Sequence, residues 1–111
     1  MKIIIDTNII LYAIRYRIDI FAELERICHF PYKICILDKA LEEVKDKTAI
    51  KLLKQKNVNI IKTSSSKNVD DLILEIADNN TIVLTQDKEL KQKLRKKKNY
   101  LFFFSIGISS Q

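Results

Sequence analysis

The sequence predicts an α/β fold in which a mostly parallel sheet is covered by helices on both faces. Short apolar runs alternate along the chain with segments of helical periodicity, the order expected when each strand is followed by a crossover helix. These runs are continuously apolar and rich in Ile, which is typical of strands buried on both faces. Because 111 residues suit one domain, we expect a single domain over 1–111, with a core over about 2–104 and a tail over 105–111.

The individual elements are predicted from those runs and spacings. Strands are expected at residues 1–5, 33–37, 58–61, 81–84 and 100–104. Helical spacing is present over 8–15, 19–29, 47–56, 69–77 and 87–97, and Asp38 is expected to cap a further helix. Since the chain has one Gly and one Pro, turns are expected at Asn, Asp and Ser. Asn57 is expected to end the helix over 47–56, and Asn79-Asn80 is expected to end the helix that starts at Val69.

The positive charge of the chain is concentrated in one segment. Lys and Arg number 20 against 14 acids, and residues 88–98 (KELKQKLRKKK) hold seven of the basic residues and one acid. This segment therefore carries the whole net charge of +6. A basic patch on a neutral body suits a protein that binds a polyanion. A solvated helix face explains the same composition, so composition alone leaves both readings open.

The apolar segments are too short for a membrane protein. No apolar run approaches the roughly 18–20 residues that a membrane-spanning helix needs. The opening KIIID is too short and too soon acidic for a secretory signal peptide. We therefore expect a cytoplasmic protein with no membrane partner.

Two acids follow predicted strands. Asp6 comes directly after the first strand, and Asp87 follows the fourth strand by two residues. In open α/β sheets, ligands bind beyond the carboxyl ends of the strands. If the two strands are neighbours, both carboxylates reach the same crevice. Each residue also stands where a helix cap is expected, so capping is the alternative role for either one.

Helical geometry selects two further acids. At about 100° per residue, Asp70 lies at the edge of the apolar stripe of its helix, whereas Asp71 points to the opposite side. On the helix that follows Asp38, Glu43 flanks the apolar stripe and Glu42 lies nearly opposite it. Asp70 and Glu43 are therefore the inward candidates. Glutamates are common on helix edges, so Glu43 alone is the weaker of the two.

Convergent carboxylates indicate a metal site. Several negative charges in one cleft resist ionising together, and a divalent cation removes that repulsion. Hard oxygen ligands favour Mg²⁺ or Mn²⁺, and the sequence has no His or Cys cluster that would favour a softer ion. Such a site is suited to the hydrolysis of phosphodiesters.

Four segments resemble the motifs of the PIN-domain nuclease family. They are IIIDTNIIL at the first strand, LEEVK, VDDLILEIA and VLTQDKEL. Each is short enough to recur by chance, but the four occur in the order of the family and cover nearly the whole chain. The main departure lies in the turns, where Asn79-Asn80 and Asn99 stand in place of glycines. Asn tolerates positive φ, so this departure is a mild one.

The resemblance implies a three-layer PIN-like (Rossmann-like) fold with a five-stranded parallel sheet of order 3-2-1-4-5. It also implies Mg²⁺- or Mn²⁺-dependent cleavage of RNA by four catalytic acids. Asp6, Asp70 and Asp87 would hold the metal, and Glu43 would bind metal or orient the attacking water. Thr7 and Asn8 would shape the first turn, and Thr85 would place a hydroxyl near the last acid. The expected RNA-binding residues of the basic segment are Lys88, Lys91, Arg95, Lys96, Lys97 and Lys98.

Other functions are compatible with parts of this pattern. A haloacid-dehalogenase-type phosphatase needs an acid where Asn8 stands, and a receiver domain needs an acceptor Asp where the chain has Lys62-Thr63. A PIN-like RNA-binding module without activity remains an alternative, although it would not need all four acids. Within the nuclease reading, RNA processing is preferred over the toxin of a toxin–antitoxin pair. The expected partners are RNA, a second copy of the chain as a homodimer, and an antitoxin or an RNA-processing protein.

Overall fold

The computed structural model describes residues 1–64 and 66–96, together with the backbone of 102–104. Strands and helices alternate as predicted from the sequence. In chain order they are β1 (Lys2–Ile5), α1 (Thr7–Arg15), α2 (Ile20–Ile27), β2 (Lys33–Leu37), α3 (Asp38–Glu43), α4 (Lys47–Gln55), β3 (Asn59–Ile61), α5 (Val69–Ile76), β4 (Thr81–Leu84), α6 (Lys88–Lys96) and β5 (Phe102–Phe104). The predicted tail, 105–111, lies outside the described residues.

The strands form one parallel sheet of order β3-β2-β1-β4-β5. The order of the first four strands confirms the prediction, and β5 pairs with β4 through the backbone of Phe102–Phe104. β1 is central, and Ile3 lies beside Ile34 of β2 and Ile82 of β4. β1 and β4 are therefore neighbours, which is the condition that brings Asp6 and Asp87 to one crevice.

Helices cover both faces of the sheet. α1 contacts α3 and α4, and α5 contacts α6. From β1 the chain adds β2 and then β3 on one side of the sheet. It then crosses back over the sheet and adds β4 and β5 on the other side of β1. Because such crossovers are right-handed, the two groups of helices lie on opposite faces. The protein therefore has three layers, with the sheet in the middle.

The continuous apolar runs fill the centre of the molecule. Ile3, Ile4 and Ile5 are at most 1% exposed, as expected for a strand covered on both faces. Burial of one such side chain contributes about 1.5–3 kcal/mol to the free energy of unfolding. α6 packs through Leu90 and Leu94, which are its buried residues, so its remaining positions face outward. No helix in the described part of the chain is long and apolar enough to cross a membrane.

Two predictions about helix ends need correction. Asp38 is not the cap of α3, because the cap position is Leu37 and Asp38 is the first helical residue. Its carboxylate instead accepts hydrogen bonds from the Thr63 amide at 3.0 Å and the Thr63 hydroxyl at 2.7 Å. Asp38 thus ties the end of β2 to the segment after β3. Asn79-Asn80 does not end α5, which stops at Ile76, but forms the turn that leads into β4.

Candidate active site

Asp6 lies at the carboxyl end of the central strand. Ile5 pairs with Leu84, so the residues that follow β1 and β4 meet directly, and the Asp6 amide donates to the Leu84 carbonyl at 3.0 Å. The Asp6 side chain is 4% exposed and Thr85 is fully buried. The Thr85 hydroxyl donates to Asp6 Oδ2 at 2.8 Å. The buried carboxylate therefore has a fixed partner and a fixed orientation.

Asp87 is held by both the same threonine and the helix that follows it. Its amide donates to the Thr85 hydroxyl oxygen at 3.1 Å. Its Oδ1 accepts from the amides of Glu89 at 2.9 Å and Leu90 at 3.1 Å, which caps α6. Capping engages Oδ1, so Oδ2 is not needed for it. Asp87 therefore has the capping role that the sequence offered as an alternative, and Oδ2 is the oxygen that capping does not use.

Asp70 lies in the first turn of α5 and is half-buried, while Asp71 is exposed, as helical geometry predicted. The pKa of Asp70 is raised, first by burial and then by the negative charges of Asp6 and Asp87. Three aspartates from three separate elements thus act on one another electrostatically. We refer to Asp6, Asp70 and Asp87 as the aspartate cluster.

The pKa of Asp6 is also raised. Burial is the largest cause, the hydrogen bond from Thr85 opposes it, and the charge of Asp87 adds to it. Burial disfavours the charged form of a carboxyl group, and a like charge nearby disfavours it further. The aspartate cluster is consequently a place where a cation would be stabilised.

The other predicted residues lie differently. Glu43 is exposed at the last position of α3, and in the described part of the chain no hydrogen bond or ion pair joins it to the aspartate cluster. Thr7 is buried, and its hydroxyl donates to the Ala40 carbonyl at 3.4 Å, so it ties α1 to α3. Asn8 is exposed. The structure therefore links Asp6 and Asp87 through Thr85 and has Asp70 within range of their charges, but it joins Glu43 to none of them.

The donor set suits a hard cation although the side chains are not closed around one. Among the described residues, no three His, Cys, Asp or Glu side chains are grouped closely enough to hold a metal ion. The cluster nevertheless consists of carboxylates alone, the ligands that Mg²⁺ and Mn²⁺ prefer. The three aspartate side chains would therefore have to rotate toward an ion in order to bind it.

The basic segment lies beside the cluster as α6. Lys88, Arg95 and Lys96 are exposed and Lys91 is partly so, whereas Lys97 and Lys98 lie outside the described residues. Lys93 is not among the residues predicted from the sequence, although its charge acts on Asp70 and lowers the pKa that burial raises. Helical spacing could have found it, since Lys93 flanks Leu90 and Leu94.

The fold and the aspartate cluster define a class of protein: an α/β domain with carboxylates gathered beyond the ends of its two central strands. The family described as PIN like domain matches residues 3–102. The chain therefore belongs to the PIN-like domain family, as its four motifs indicated.

The chain is similar in sequence to a known ribonuclease and in structure to a known endonuclease. It is 34% identical over 108 residues to Ribonuclease VapC4 of Methanocaldococcus jannaschii, a match that covers 84% of this chain and 82% of the relative. Among solved structures, the PIN domain endonuclease Utp24 is similar with a TM-score of 0.81 and 26% identity. That similarity covers 96% of this chain and 85% of the other.

Proposed function

We propose that this chain is a metal-dependent endoribonuclease whose active site is the aspartate cluster with Glu43. The observation that carries the proposal is that Asp6 and Asp87 share the Thr85 hydroxyl at the carboxyl edge of the sheet, within range of the charge of Asp70. Two similar proteins support the reaction class, since one is called a ribonuclease and the other a PIN domain endonuclease.

Each residue of the site has a distinct role in this proposal. Thr85 favours the ionised form of Asp6 by donating a hydrogen bond to it, and the cap of α6 fixes the direction of Asp87. Asp70 completes the ligand set from α5. A bound Mg²⁺ or Mn²⁺ would supply a water of lowered pKa and would stabilise negative charge on the phosphate oxygens. Glu43, which is exposed, would orient that water once RNA covers the site.

The substrate is proposed to be RNA held in part by α6. The exposed cations of this helix start at Lys88, next to Asp87, and continue to Lys96. Polyanions bind such a surface in a salt-dependent way because bound phosphates release counterions. We expect the same helix to steer the phosphate backbone toward the aspartate cluster.

The first test compares two neighbouring carboxylates. Asp70→Asn should abolish metal-dependent cleavage of a labelled single-stranded RNA, whereas Asp71→Asn should retain it, because only Asp70 belongs to the cluster. A second readout is the rise in melting temperature when Mn²⁺ is added, which should shrink in Asp70→Asn alone. Full activity of Asp70→Asn would overturn the site assignment. Equal loss in both variants would mean that charge near α5, not metal binding, is what matters.

The proposed cellular role is RNA processing, with the toxin of a toxin–antitoxin pair as the alternative. Both roles need the same chemistry, so similarity to Ribonuclease VapC4 does not separate them. The growth of a host cell that expresses the chain separates the two roles. Arrest that Asp6→Asn relieves would favour the toxin, and unimpaired growth with active enzyme would favour processing.

A further inference from the structure

An open groove runs between α5 and α6, beside the aspartate cluster but not part of it. The groove is wide and open to solvent, with a volume of about 640 Å³. The residues that line it are Lys67, Asp71, Leu74, Glu75, Lys93 and Lys96. Three lysines outnumber the two acids, so the groove is a net cationic channel with an apolar residue in its wall.

The groove begins next to the candidate active site, because Asp71 in its lining directly follows Asp70 of the aspartate cluster in α5. Lys93 lies near enough to Asp70 for its charge to act on that carboxylate. Both helices begin at the carboxyl edge of the sheet, where the cluster lies, so the groove leads away from it. Lys96 follows Lys93 by three residues, or about 4.5 Å along the helix axis. An RNA strand that leaves the aspartate cluster along this path would contact Lys93 first and Lys96 next.

Two of the three lysines are paired with acids. Lys93 Nζ lies 3.8 Å from Glu89 Oε1 of its own helix, and Lys67 pairs with Glu75 of the groove. Lys67 Nζ lies 2.7 Å from Glu75 Oε2, and both side chains are about half exposed, at 54% and 56%. Exposed ion pairs of this kind are weak, with a median of about 0–1 kcal/mol. An incoming phosphate can therefore replace Glu75 as the partner of Lys67 at little cost.

We propose that this groove is a subsite for the RNA backbone next to the cleaved bond, in which Lys67, Lys93 and Lys96 bind phosphates and Glu75 competes for Lys67. The inference rests on the proposed function, because it takes the ligand to be the RNA that the aspartate cluster cuts. The inference goes beyond the proposed function because it names the path of the RNA strand and an acid that limits the affinity for RNA.

The lysines are tested by salt-dependent binding. A short fluorescein-labelled single-stranded RNA is titrated with the full chain in EDTA, and anisotropy is measured at several salt concentrations. Lys93→Gln and Lys96→Gln should each weaken binding several-fold and lower the slope of log affinity against log salt by about 0.7 per lost phosphate contact. Lys51→Gln is the matched control, because Lys51 is an exposed lysine of α4 on the opposite face of the sheet. Equal effects in all three variants would overturn the subsite in favour of net charge alone.

Glu75 gives a result of opposite sign. Glu75→Gln should tighten RNA binding severalfold, because it removes the carboxylate that competes with phosphate for Lys67. Glu25→Gln, at an exposed position of α2, makes the same change in net charge and should have little effect. Equal tightening by both would contradict the proposal. If wild type cuts RNA and the groove variants match their controls, the subsite fails alone. If wild type neither binds nor cuts RNA, the proposed function fails with it.

Discussion

Replacing Thr85 by Val tests how the buried carboxylate of Asp6 is held. Thr85 is fully buried, donates to Asp6 Oδ2 at 2.8 Å and accepts from the Asp87 amide at 3.1 Å. Val keeps the shape of the side chain but can do neither. The variant therefore removes two hydrogen bonds while leaving the packing nearly unchanged.

The expected loss follows from the two bonds. A hydrogen bond to a charged group contributes about 1.5–3 kcal/mol, and the loss of the acceptor of the partly buried Asp87 amide adds about 1 kcal/mol. Allowing for partial relaxation, Thr85→Val should lower the free energy of unfolding by about 2–4 kcal/mol at neutral pH. The pKa of Asp6, already raised by burial, should rise further, since the Thr85 bond opposes that increase.

The pH dependence has a definite sign. Because the pKa of Asp6 is higher in the folded state than in the unfolded state, this residue makes the fold less stable as pH rises through that interval. Thr85→Val extends the interval upward. The loss in free energy of unfolding caused by Thr85→Val should therefore be largest at neutral pH. It should shrink at a pH below the pKa that Asp has in the unfolded chain, where Asp6 is protonated in both proteins.

Urea denaturation of the metal-free protein at neutral and acid pH measures these quantities. Thr85→Ser is the control, since it keeps the hydroxyl and should recover most of the lost stability. Wild-type stability of Thr85→Val at neutral pH would refute the reasoning. So would a deficit that is the same at every pH, because it would reflect packing and not the carboxylate.

Three further predictions concern other parts of the fold. Asp70→Asn should raise the melting temperature of the metal-free protein in EDTA because it relieves repulsion within the aspartate cluster, whereas exposed Asp71→Asn should change it less. Thr63→Val should destabilise the protein at neutral pH and less in acid, because the Thr63 bonds lower the pKa of Asp38; a pH-independent effect in urea would contradict this. Leu90→Ala should cost about 2–5 kcal/mol in urea unfolding, since Leu90 is fully buried, and a loss below 1 kcal/mol would mean that α6 packs loosely.

The predictable part of the site depended on periodic features. Asp70 could be separated from Asp71 because a helix turns by a constant angle per residue, and the structure has one half-buried and the other exposed. Asp6 and Asp87 could be placed because acids after neighbouring parallel strands meet at one edge of the sheet. These inferences need only local geometry and the order of the strands.

The features that could not be predicted from the sequence depend on contacts between segments that are far apart in the chain. The bonds between Asp38 and Thr63 span 25 residues, and the bond between Thr85 and Asp6 spans 79, so no local pattern indicates either geometry. Arg17 has a φ of 54°, although its side chain gives no preference for that region. Glu43 was selected as an inward residue from the stripe of α3, but that helix ends at Glu43, which leaves the side chain exposed.

The most direct test of the central claim is RNA cleavage by wild type and Asp6→Asn with Mg²⁺, with Mn²⁺ and with EDTA. The labelled substrate is a short single-stranded RNA, and circular dichroism verifies that the variant is folded. We predict that wild type cuts with a divalent metal, that EDTA stops cleavage and that Asp6→Asn does not cut under any condition. Cleavage by wild type in EDTA, or by folded Asp6→Asn at the wild-type rate, would contradict the account.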